Sequence, residues 1–294
     1  MCLLVFVWKS VRSDNPEHLN LLFEIALYHK CKLMDTKESY AVVTGASQGL
    51  GKSFAENLAR KKINVILVSL PDQNLKEFSE DLKKLYDVKV HYYETDLSVH
   101  ENVMKLTEWL NRSFDIHILI NNAGLGGTKK FTEASSDYIN TILQVNVTAT
   151  SLITHQLLPN LLKQPKAYIL NVSSMAAFSP IGFKTVYPAS KSFIHSFSRG
   201  LHEELKDTNV FVSVVNPGAM KTNRDVSERI EKQGFMGRLT LLNPDKVASY
   251  CIRQLFKKDS VIMVNPISWL VMKILPIWIK LPLMTQAIKR EIEA

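Results

Sequence analysis

The stretch YAVVTGASQGLG at residues 40–51 joins a short apolar strand to a glycine-rich turn, and a helical pattern continues from it to Arg60. Glycines at positions 45, 49 and 51 let the backbone turn tightly and let another group approach it closely. The first amides of the helix that follows are unpaired and lie at the positive end of its dipole, which favours an anion such as a pyrophosphate. The stretch therefore predicts a nucleotide-binding unit at the start of an α/β domain.

Apolar strands alternate with helical segments beyond this unit. After a first strand at Tyr40–Val43, the pattern predicts strands at residues 64–69, 89–94, 116–120, 167–172, 210–215 and 261–264. Such alternation predicts parallel strands joined by right-handed helical crossovers. We therefore expect an α/β protein with a three-layer, doubly wound Rossmann fold and a seven-stranded parallel sheet.

The composition fits one globular domain with short extensions. The chain has 294 residues, of which 46% are hydrophobic and 22% charged, and doubly wound proteins of this size commonly form one domain. We expect an N-terminal extension at residues 1–36, a catalytic domain at 37–266 and an apolar, basic tail at 267–294. A translation start at Met34 would serve this domain equally well, so the native status of residues 1–33 is left open.

Charge and cysteine content argue against several classes of protein. The net charge of +8 is moderate and basic residues are interleaved with acidic ones, so nucleic-acid binding is not favoured. Cys2, Cys31 and Cys251 are far apart and lack the spacing of a zinc site or a disulfide framework. We expect no metal, a reducing compartment and a cytoplasmic location.

The ends of the early strands carry the residues expected to select a nucleotide. An acidic residue at the end of the second strand would select NAD by binding the ribose. Ser69 stands there with Leu70 after it, so the extra phosphate of NADP is permitted. We favour NADP(H), with NAD(H) as the alternative. Asp96 can accept a hydrogen bond from an adenine amino group, and the small residues Ala123 and Gly124 would let a ligand lie against the backbone.

The stretch YPASK at residues 187–191 has the spacing needed for proton transfer. Four residues of helix place the Tyr187 phenol and the Lys191 ammonium one turn apart on the same face. We expect the cation to lower the pKa of Tyr187 from about 10, which would make the phenol a proton donor or acceptor. Ser174 follows the fifth strand, where its hydroxyl can stabilise an oxyanion. Asn146 lies mid-helix among apolar residues and needs a water or backbone partner.

These ordered motifs resemble the short-chain dehydrogenase/reductase family of the classical type, and in particular its hydroxysteroid dehydrogenase and 3-ketoacyl-CoA reductase branch. The resemblance extends from about Tyr40 to Pro266, and Ser174 and Tyr187 have the spacing that family members show. It implies a catalytic set of Asn146, Ser174, Tyr187 and Lys191. In the family, the asparagine holds a water that links the lysine to solvent, and the lysine also binds the nicotinamide ribose.

The motifs also imply a set of cofactor contacts. They are Thr44, Gly45, Ser47, Gln48, Gly49, Leu50, Gly51, Ser69, Asp96, Leu97, Asn122, Ala123, Gly124, Tyr187, Lys191, Pro217, Gly218 and Thr222. The last three resemble the family's P-G-x-x-x-T segment near the nicotinamide. Ser174 and Tyr187 are expected to bind the substrate. Residues 221–242 are polar, long and loop-like, which suits a substrate lid.

We therefore expect an NAD(P)-dependent oxidoreductase that moves hydride between nicotinamide and a carbonyl or secondary alcohol. A lipophilic substrate of steroid or 3-oxoacyl type, and hence a role in lipid metabolism, is favoured by four apolar side chains between the serine and the tyrosine: Met175, Phe178, Ile181 and Phe183. One alternative is a 3-oxoacyl-carrier-protein reductase. An alternative of another class is a non-catalytic, nucleotide-binding regulatory protein, which would be expected to lack the Tyr or the Lys; both are present.

The carboxyl-terminal tail is apolar at residues 267–283 but contains two lysines and two prolines. Its apolar run reaches only the lower limit for a membrane span, and an internal proline and the lysines argue against spanning. Two interpretations stay open. The tail either attaches peripherally to a membrane surface or packs over the substrate mouth or a partner in a homo-oligomer, which we also expect.

Overall fold

The computed structural model describes residues 38–218, 220 and 242–293, with side chains described as far as Arg290. The predicted N-terminal extension, all but the last residue of the predicted lid, and Thr222 therefore lie outside the described residues. From Ser39 onward, strands and helices alternate as the sequence predicts.

The sheet contains seven parallel strands. They are β1 Ser39–Thr44, β2 Asn64–Ser69, β3 Val90–Glu94, β4 Asp115–Asn121, β5 Ala167–Val172, β6 Val210–Val215 and β7 Val261–Ile262. Their spatial order is β3-β2-β1-β4-β5-β6-β7, and every neighbouring pair is parallel. From β1 the chain adds strands toward one edge of the sheet as far as β3, and from β4 it adds them toward the other edge. The order of strands therefore reverses between β1 and β4, and doubly wound sheets bind ligands at such a point. The predicted Rossmann fold is confirmed.

Helices cover both faces of this sheet. They are α1 Gly49–Arg60, α2 Leu75–Tyr86, α3 His100–Ser113, α4 Ser136–Leu143, α5 Thr150–Leu162, α6 Val186–Leu205, α7 Pro244–Phe256, α8 Pro266–Ile274 and α9 Ile277–Glu293. Helices α1, α2 and α7 pack on one face around the fully buried Phe54, and α3 and α5 pack on the other around Leu157. Short 3₁₀-helices form at Phe131–Glu133 and Met175–Phe178.

Both faces of the central strands are buried, which explains their continuous apolar sequences. In β1, Ala41 and Val43 pack with the α1 side, whereas Tyr40 and Val42 pack with the α3 side. Successive side chains of a strand point to opposite faces. A strand that is covered on both sides therefore has to be apolar at every position.

One helix departs from the expected pattern. The sequence predicts continuous helix from the region of Gln144 to Lys163, but the structure inserts a π-helical turn at Gln144–Ala149 between α4 and α5. A π-turn accommodates one extra residue without ending the helix, and such turns often occur at functional sites. Asn146 lies within this turn.

The tail forms two helices that meet at Leu275 and Pro276. In α8, Pro266 stands in the first turn and Asn265 caps it by accepting a hydrogen bond from the Ser268 amide. Among the residues that the structure describes, no helix combines the length and apolar character needed to cross a bilayer.

The glycine-rich turn between β1 and α1 is packed too closely for larger side chains. Gly45 and Gly49 have φ angles of +65° and +55°, which glycine adopts without strain. Gly51 has no such φ requirement, but a Cβ added there would lie 1.9 Å from the Gly45 oxygen. Helix α1 therefore depends on Gly51 to approach the turn.

Replacing Gly51 by alanine should destabilise the protein by about 3 kcal/mol, because the backbone of the turn must move to relieve the clash. Gly200→Ala is the matched control, since no atom lies within 4 Å of its added Cβ within α6. It should be neutral or stabilise by about 0.5–1 kcal/mol. Urea unfolding measures both changes, and equal stability of the two variants would contradict the close packing of α1 on the turn.

Candidate active site

The carboxyl ends of β1 and β4 are locked together by Thr44 and Asn122. The Thr44 Oγ1 accepts hydrogen bonds from the backbone amides of Asn122 and Ala123, both at 3.0 Å. In return, the Asn122 Nδ2 donates to the carbonyl oxygens of Thr44 at 2.9 Å and of Gly45 at 3.2 Å. The glycine-rich turn is therefore held in one position against the loop that follows β4.

A second polar chain runs beneath this edge of the sheet. The Asn121 Nδ2 donates to Thr154 Oγ1 and to Asn171 Oδ1, each at 2.9 Å, and Asn171 Nδ2 donates to Ser198 Oγ at 2.9 Å. Asn121, Asn171 and Ser198 are buried. Asn121 thus ties β4 to β5 and α5.

The turn offers the backbone groups that a dinucleotide would need. Gln48 precedes α1, but its side chain makes no capping hydrogen bond, so the first amides of α1 remain available to an anion. A Cβ on Gly45 would lie 2.9 Å from the Ala123 Cα, which shows how close the two loops are. These features fit a bound pyrophosphate. Leu50, by contrast, buries its side chain in the core, so only its backbone faces the turn.

The expected ribose and adenine contacts lie at the ends of β2 and β3. Ser69 is buried, and its Oγ donates to Ser47 Oγ at 2.7 Å, so the two hydroxyls form a pair beside the turn. Asp96 already accepts a hydrogen bond from the Ser98 amide through Oδ1 at 2.8 Å. Leu97 is buried in the core. Of the expected nicotinamide contacts, Pro217 is buried and accepts a hydrogen bond from the Met175 amide at 2.9 Å, and Gly218 follows it.

Tyr187 lies in the first turn of α6 and meets Ser174 across the site. Burial raises the pKa of Tyr187, and the hydrogen bond with the Ser174 side chain lowers it by less, so the net shift is upward. We expected Lys191 to lower this pKa, and in this structure that expectation is wrong. The Lys191 Nζ lies 6.0 Å from the centre of the Tyr187 ring, and the direction of the shift is set by desolvation of the phenol, which disfavours the phenolate.

Lys191 is buried and held by backbone. Its Nζ donates to the Val172 oxygen at the end of β5, at 2.9 Å. Burial lowers the pKa of Lys191 to about 8. Gly124 makes room for the ammonium, because an added Cβ would lie 3.1 Å from Nζ and 3.3 Å from Asn146 Oδ1. Two side chains of the same chain therefore approach Gly124 closely, and the approach of a ligand to this glycine stays a prediction.

Asn146 connects the loop after β4 to the start of α6. Its Oδ1 accepts from the Leu125 amide at 2.7 Å, and its Nδ2 donates to the Leu125 oxygen and to Ser190 Oγ, both at 2.9 Å. Ser190 Oγ in turn donates to the backbone carbonyl oxygen of Tyr187 at 2.7 Å. Sequence reasoning missed Leu125 and Ser190. The one signal in the sequence for Ser190 is its position directly before Lys191.

The two neighbouring serines after β5 have different partners. Ser173 Oγ is buried and donates to the Lys191 backbone oxygen at 2.7 Å, which joins β5 to α6. Ser174 instead faces Tyr187, and its Oγ also accepts from the Ala176 amide at 3.2 Å. The structure therefore brings Ser174, Tyr187, Lys191 and Asn146 to one end of the sheet. No direct Asn146–Lys191 hydrogen bond is seen among these side chains, so the water link between them stays a prediction.

Comparison with known proteins gives the family. The sequence model described as "short chain dehydrogenase" matches residues 39–233. Hydroxysteroid dehydrogenase-like protein 1 of Gallus gallus is 31% identical over 241 residues, which are 79% of this chain and 73% of that protein. A Homo sapiens relative is 29% identical over 75% of this chain and 69% of its own length, and is named inactive hydroxysteroid dehydrogenase-like protein 1.

Two further comparisons are with a reductase and a solved structure. The very-long-chain 3-oxoacyl-CoA reductase of Rattus norvegicus is 36% identical over 183 residues, which are 60% of this chain and 58% of that protein. The structure of an alcohol dehydrogenase from the archaeon Thermococcus sibiricus, complexed with 5-hydroxy-NADP, is 26% identical with a TM-score of 0.65, and the match covers 77% of this chain and 95% of that one.

The depressed pKa of Lys191 predicts a pH-dependent contribution to stability. Above pH 8 the folded lysine is neutral while the unfolded one stays protonated up to about 10.5, so the unfolded state binds more protons and stability rises with pH. From pH 7 to 9.5, the wild type should gain about 2 kcal/mol relative to Lys191→Met. Urea unfolding of both proteins without cofactor measures this difference. A difference that is independent of pH would contradict the burial of the charge.

Proposed function

Because the chain belongs to the short chain dehydrogenase family, we propose that it transfers hydride between NADP(H) and a carbonyl or secondary alcohol, with Tyr187 as general acid and base. The family makes it an oxidoreductase that acts on CH–OH donors. The observation that supports the proposed chemistry most strongly is the meeting of the Ser174 hydroxyl and the Tyr187 phenol, beside the buried ammonium of Lys191. A carbonyl oxygen placed between the two hydroxyls would receive a hydrogen bond from each.

In the reductive direction, a bound nicotinamide supplies hydride to the carbonyl carbon. Ser174 donates a hydrogen bond to the carbonyl oxygen and stabilises the negative charge that develops there. Tyr187 gives its proton to this oxygen, which completes the alcohol. The raised pKa of Tyr187 keeps the phenol protonated near neutrality, as a proton donor requires. In the oxidative direction the same groups act in reverse.

Lys191 and Asn146 serve Tyr187 in this proposal. The pKa of Lys191, about 8, leaves most of the ammonium charged at pH 7, so it can stabilise the phenolate after Tyr187 has lost its proton. With one Nζ hydrogen bond to Val172, it retains donor capacity for a ribose or a water. Asn146 holds the loop at Leu125 and the first turn of α6, and a water bound near it would return a proton from solvent.

NADP(H) is favoured over NAD(H) by the polar groups at the end of β2. The Ser69–Ser47 hydroxyl pair can bind a ribose phosphate, whereas an acidic residue that would repel it is missing from this strand end. A structural neighbour at 26% identity is complexed with 5-hydroxy-NADP. The first amides of α1 would hold the pyrophosphate, and Asp96 retains Oδ2 for the adenine.

A shallow cleft lies beside the start of α6, and half of its lining residues are apolar. The apolar residues are Phe131, Ala134, Phe183 and Val186, and the others are Lys129, Tyr138, Lys184 and Thr185. The apolar half of the lining supports the proposal of a lipophilic substrate. Of the apolar residues that the sequence assigned to the substrate, Phe183 lines this cleft. Phe178 instead packs on the His195 ring at 5.0 Å, and Ile181 is buried.

Steroid and 3-oxoacyl substrates are both lipophilic, and the names of two relatives refer to these two substrate classes. A 3-oxoacyl-carrier-protein reductase is the alternative of the same class. The alternative of a different class is a non-catalytic nucleotide-binding protein, and a human relative is named inactive. Against it stands the complete set of Asn146, Ser174, Tyr187 and Lys191 in this chain.

The tail supports a proposal of peripheral contact with an anionic membrane surface. Residues 266–290 contain no acidic residue and four basic residues, of which Lys280 is buried and the other three are Lys273, Lys289 and Arg290. Trp278 is 73% exposed. One face of α8 points outward and is apolar: Ile267, Leu270, Val271 and Ile274. Flotation with anionic vesicles tests this contact, which Trp278→Glu should weaken; equal flotation of both proteins would contradict it. A homo-oligomer and a cytoplasmic location stay predictions.

The proposed chemistry is tested with NADPH, NADH and a panel of ketosteroids, 3-oxoacyl thioesters and simple ketones. Turnover should be faster with NADPH, and Tyr187→Phe should lower kcat on the order of a thousandfold while NADPH still binds, because the ring remains and the proton donor is lost. Undiminished turnover by Tyr187→Phe would refute this role.

The two serines provide a matched control for the same assay. Ser174→Ala should lower kcat by roughly 10²–10³, because it removes an oxyanion donor. Ser173→Ala should lower the melting temperature but keep kcat within about threefold, since its hydroxyl binds only the Lys191 backbone. Equal losses of kcat in the two variants would contradict the assignment of Ser174.

A further inference from the structure

The segment between Ser174 and Tyr187 is held from outside by helix α9. This segment, residues 175–186, begins with the 3₁₀-helix Met175–Phe178 and continues as an irregular chain up to α6. Ser174 and Tyr187 stand at its two ends, so its shape acts on their separation together with the Ser173–Lys191 hydrogen bond. Two side chains of α9, Lys280 and Thr285, reach its backbone.

Lys280 is a buried cation in an apolar helix. Only 7% of its surface is exposed, and its Nζ donates to the backbone oxygens of Phe178 at 2.9 Å and of Met272 at 2.7 Å. These oxygens lie at the carboxyl ends of the 3₁₀-helix and of α8, where a positive charge is favourable. A buried ammonium is expensive compared with an apolar side chain. The two backbone oxygens stabilise the charge, and the one at Phe178 joins α9 to the 175–186 segment.

Thr285 makes the second contact. Its Oγ1 accepts a hydrogen bond from the Gly182 amide at 2.9 Å. The approach requires glycine at position 182, since an added Cβ would lie 2.5 Å from the Thr285 Cγ2 and 3.0 Å from its Oγ1. The hydrogen bond from the Gly182 amide to the Thr285 hydroxyl can therefore form only because position 182 has no side chain.

The backbone next to this contact is strained. Phe183 has a φ of +63°, a conformation that a bulky side chain rarely adopts and that persists only when its surroundings enforce it. The Gly182 amide is held by Thr285 on one side, and the Phe183 oxygen accepts from the Lys129 amide at 2.7 Å on the other. Phe183 also lines the cleft beside the start of α6.

We propose that Lys280 and Thr285 are positioning residues for the reaction, holding the 175–186 segment so that Ser174 and Tyr187 face the same substrate oxygen. The inference rests on the proposed function of that site. It gives the tail helix a role in catalysis, although neither residue touches the reacting atoms.

The test compares Lys280→Met, which keeps the stem, and Thr285→Val, which keeps the shape, with the wild type. Both should lower kcat at least tenfold while the affinity for NADPH, measured by its fluorescence, changes less than twofold. Thr285→Ser keeps the hydroxyl and should restore kcat to within threefold of wild type. Lys257→Met removes an exposed lysine of the α7 C-terminus and should leave kcat unchanged.

The pH profile of alcohol oxidation separates positioning from general stability. Oxidation needs deprotonated Tyr187, and the Ser174 hydrogen bond lowers its pKa. If that hydrogen bond is weakened, the pKa of Tyr187 rises and the rate of oxidation increases only at a higher pH. The midpoint of the pH–rate profile of Thr285→Val should therefore lie about half a pH unit or more above that of the wild type. Wild-type kcat and an unmoved profile in both variants would overturn the proposal. Parallel losses of melting temperature, NADPH affinity and kcat would also overturn it.

Hydrogen exchange makes the inference testable even if no carbonyl substrate is reduced. Peptides covering residues 178–184 should exchange faster in Thr285→Val than in the wild type or Thr285→Ser, because the Gly182 amide loses its acceptor. Unchanged exchange would overturn the positioning role. Wild-type protein that binds NADPH but reduces no carbonyl would instead count against the proposed function alone.

Discussion

A buried ammonium is the constraint on which the candidate site depends. Lys191 extends from α6 to the Val172 oxygen at the end of β5, and Gly124 in the loop after β4 leaves room for it. The loop itself is fixed by Asn146, whose amide holds Leu125 and also reaches the first turn of α6 through Ser190. Strands β4 and β5 and helix α6 are thus brought to fixed distances around one charge, and the Tyr187 phenol lies in the space between them.

Burial at this site shifts the pKa values of both Lys191 and Tyr187. Burial lowers the pKa of Lys191 to about 8 and raises that of Tyr187. Each shift disfavours the charged form, because neither group is well solvated. The two shifts suit different steps of a proton transfer. The raised pKa keeps the Tyr187 phenol protonated until the substrate oxygen takes the proton, and the lowered pKa of Lys191 lets its ammonium exchange a proton with a water near pH 8.

Most of the fold could be predicted from the sequence, because the strands are continuous apolar runs and the glycine-rich turn has only a few structural uses. The grouping of Ser174, Tyr187 and Lys191 also followed from their order and spacing. The π-turn around Asn146 could not be predicted, since one extra residue leaves the apolar pattern almost unchanged. The direction of the Tyr187 pKa shift depends on neighbours that are distant in sequence. The contacts of Lys280 and Thr285 could not be predicted either, because their partners lie 102 and 103 positions away in the sequence.

Transfer of an isotope from the cofactor measures the proposed chemistry most directly. NADPH that carries deuterium at the transferred C4 position would be incubated with the protein and a carbonyl substrate, and the alcohol would be analysed by mass spectrometry and NMR. We expect one deuterium on the former carbonyl carbon, with the hydroxyl proton coming from solvent through Tyr187. An alcohol without deuterium at that carbon, formed while NADPH is consumed, would contradict direct hydride transfer at this site.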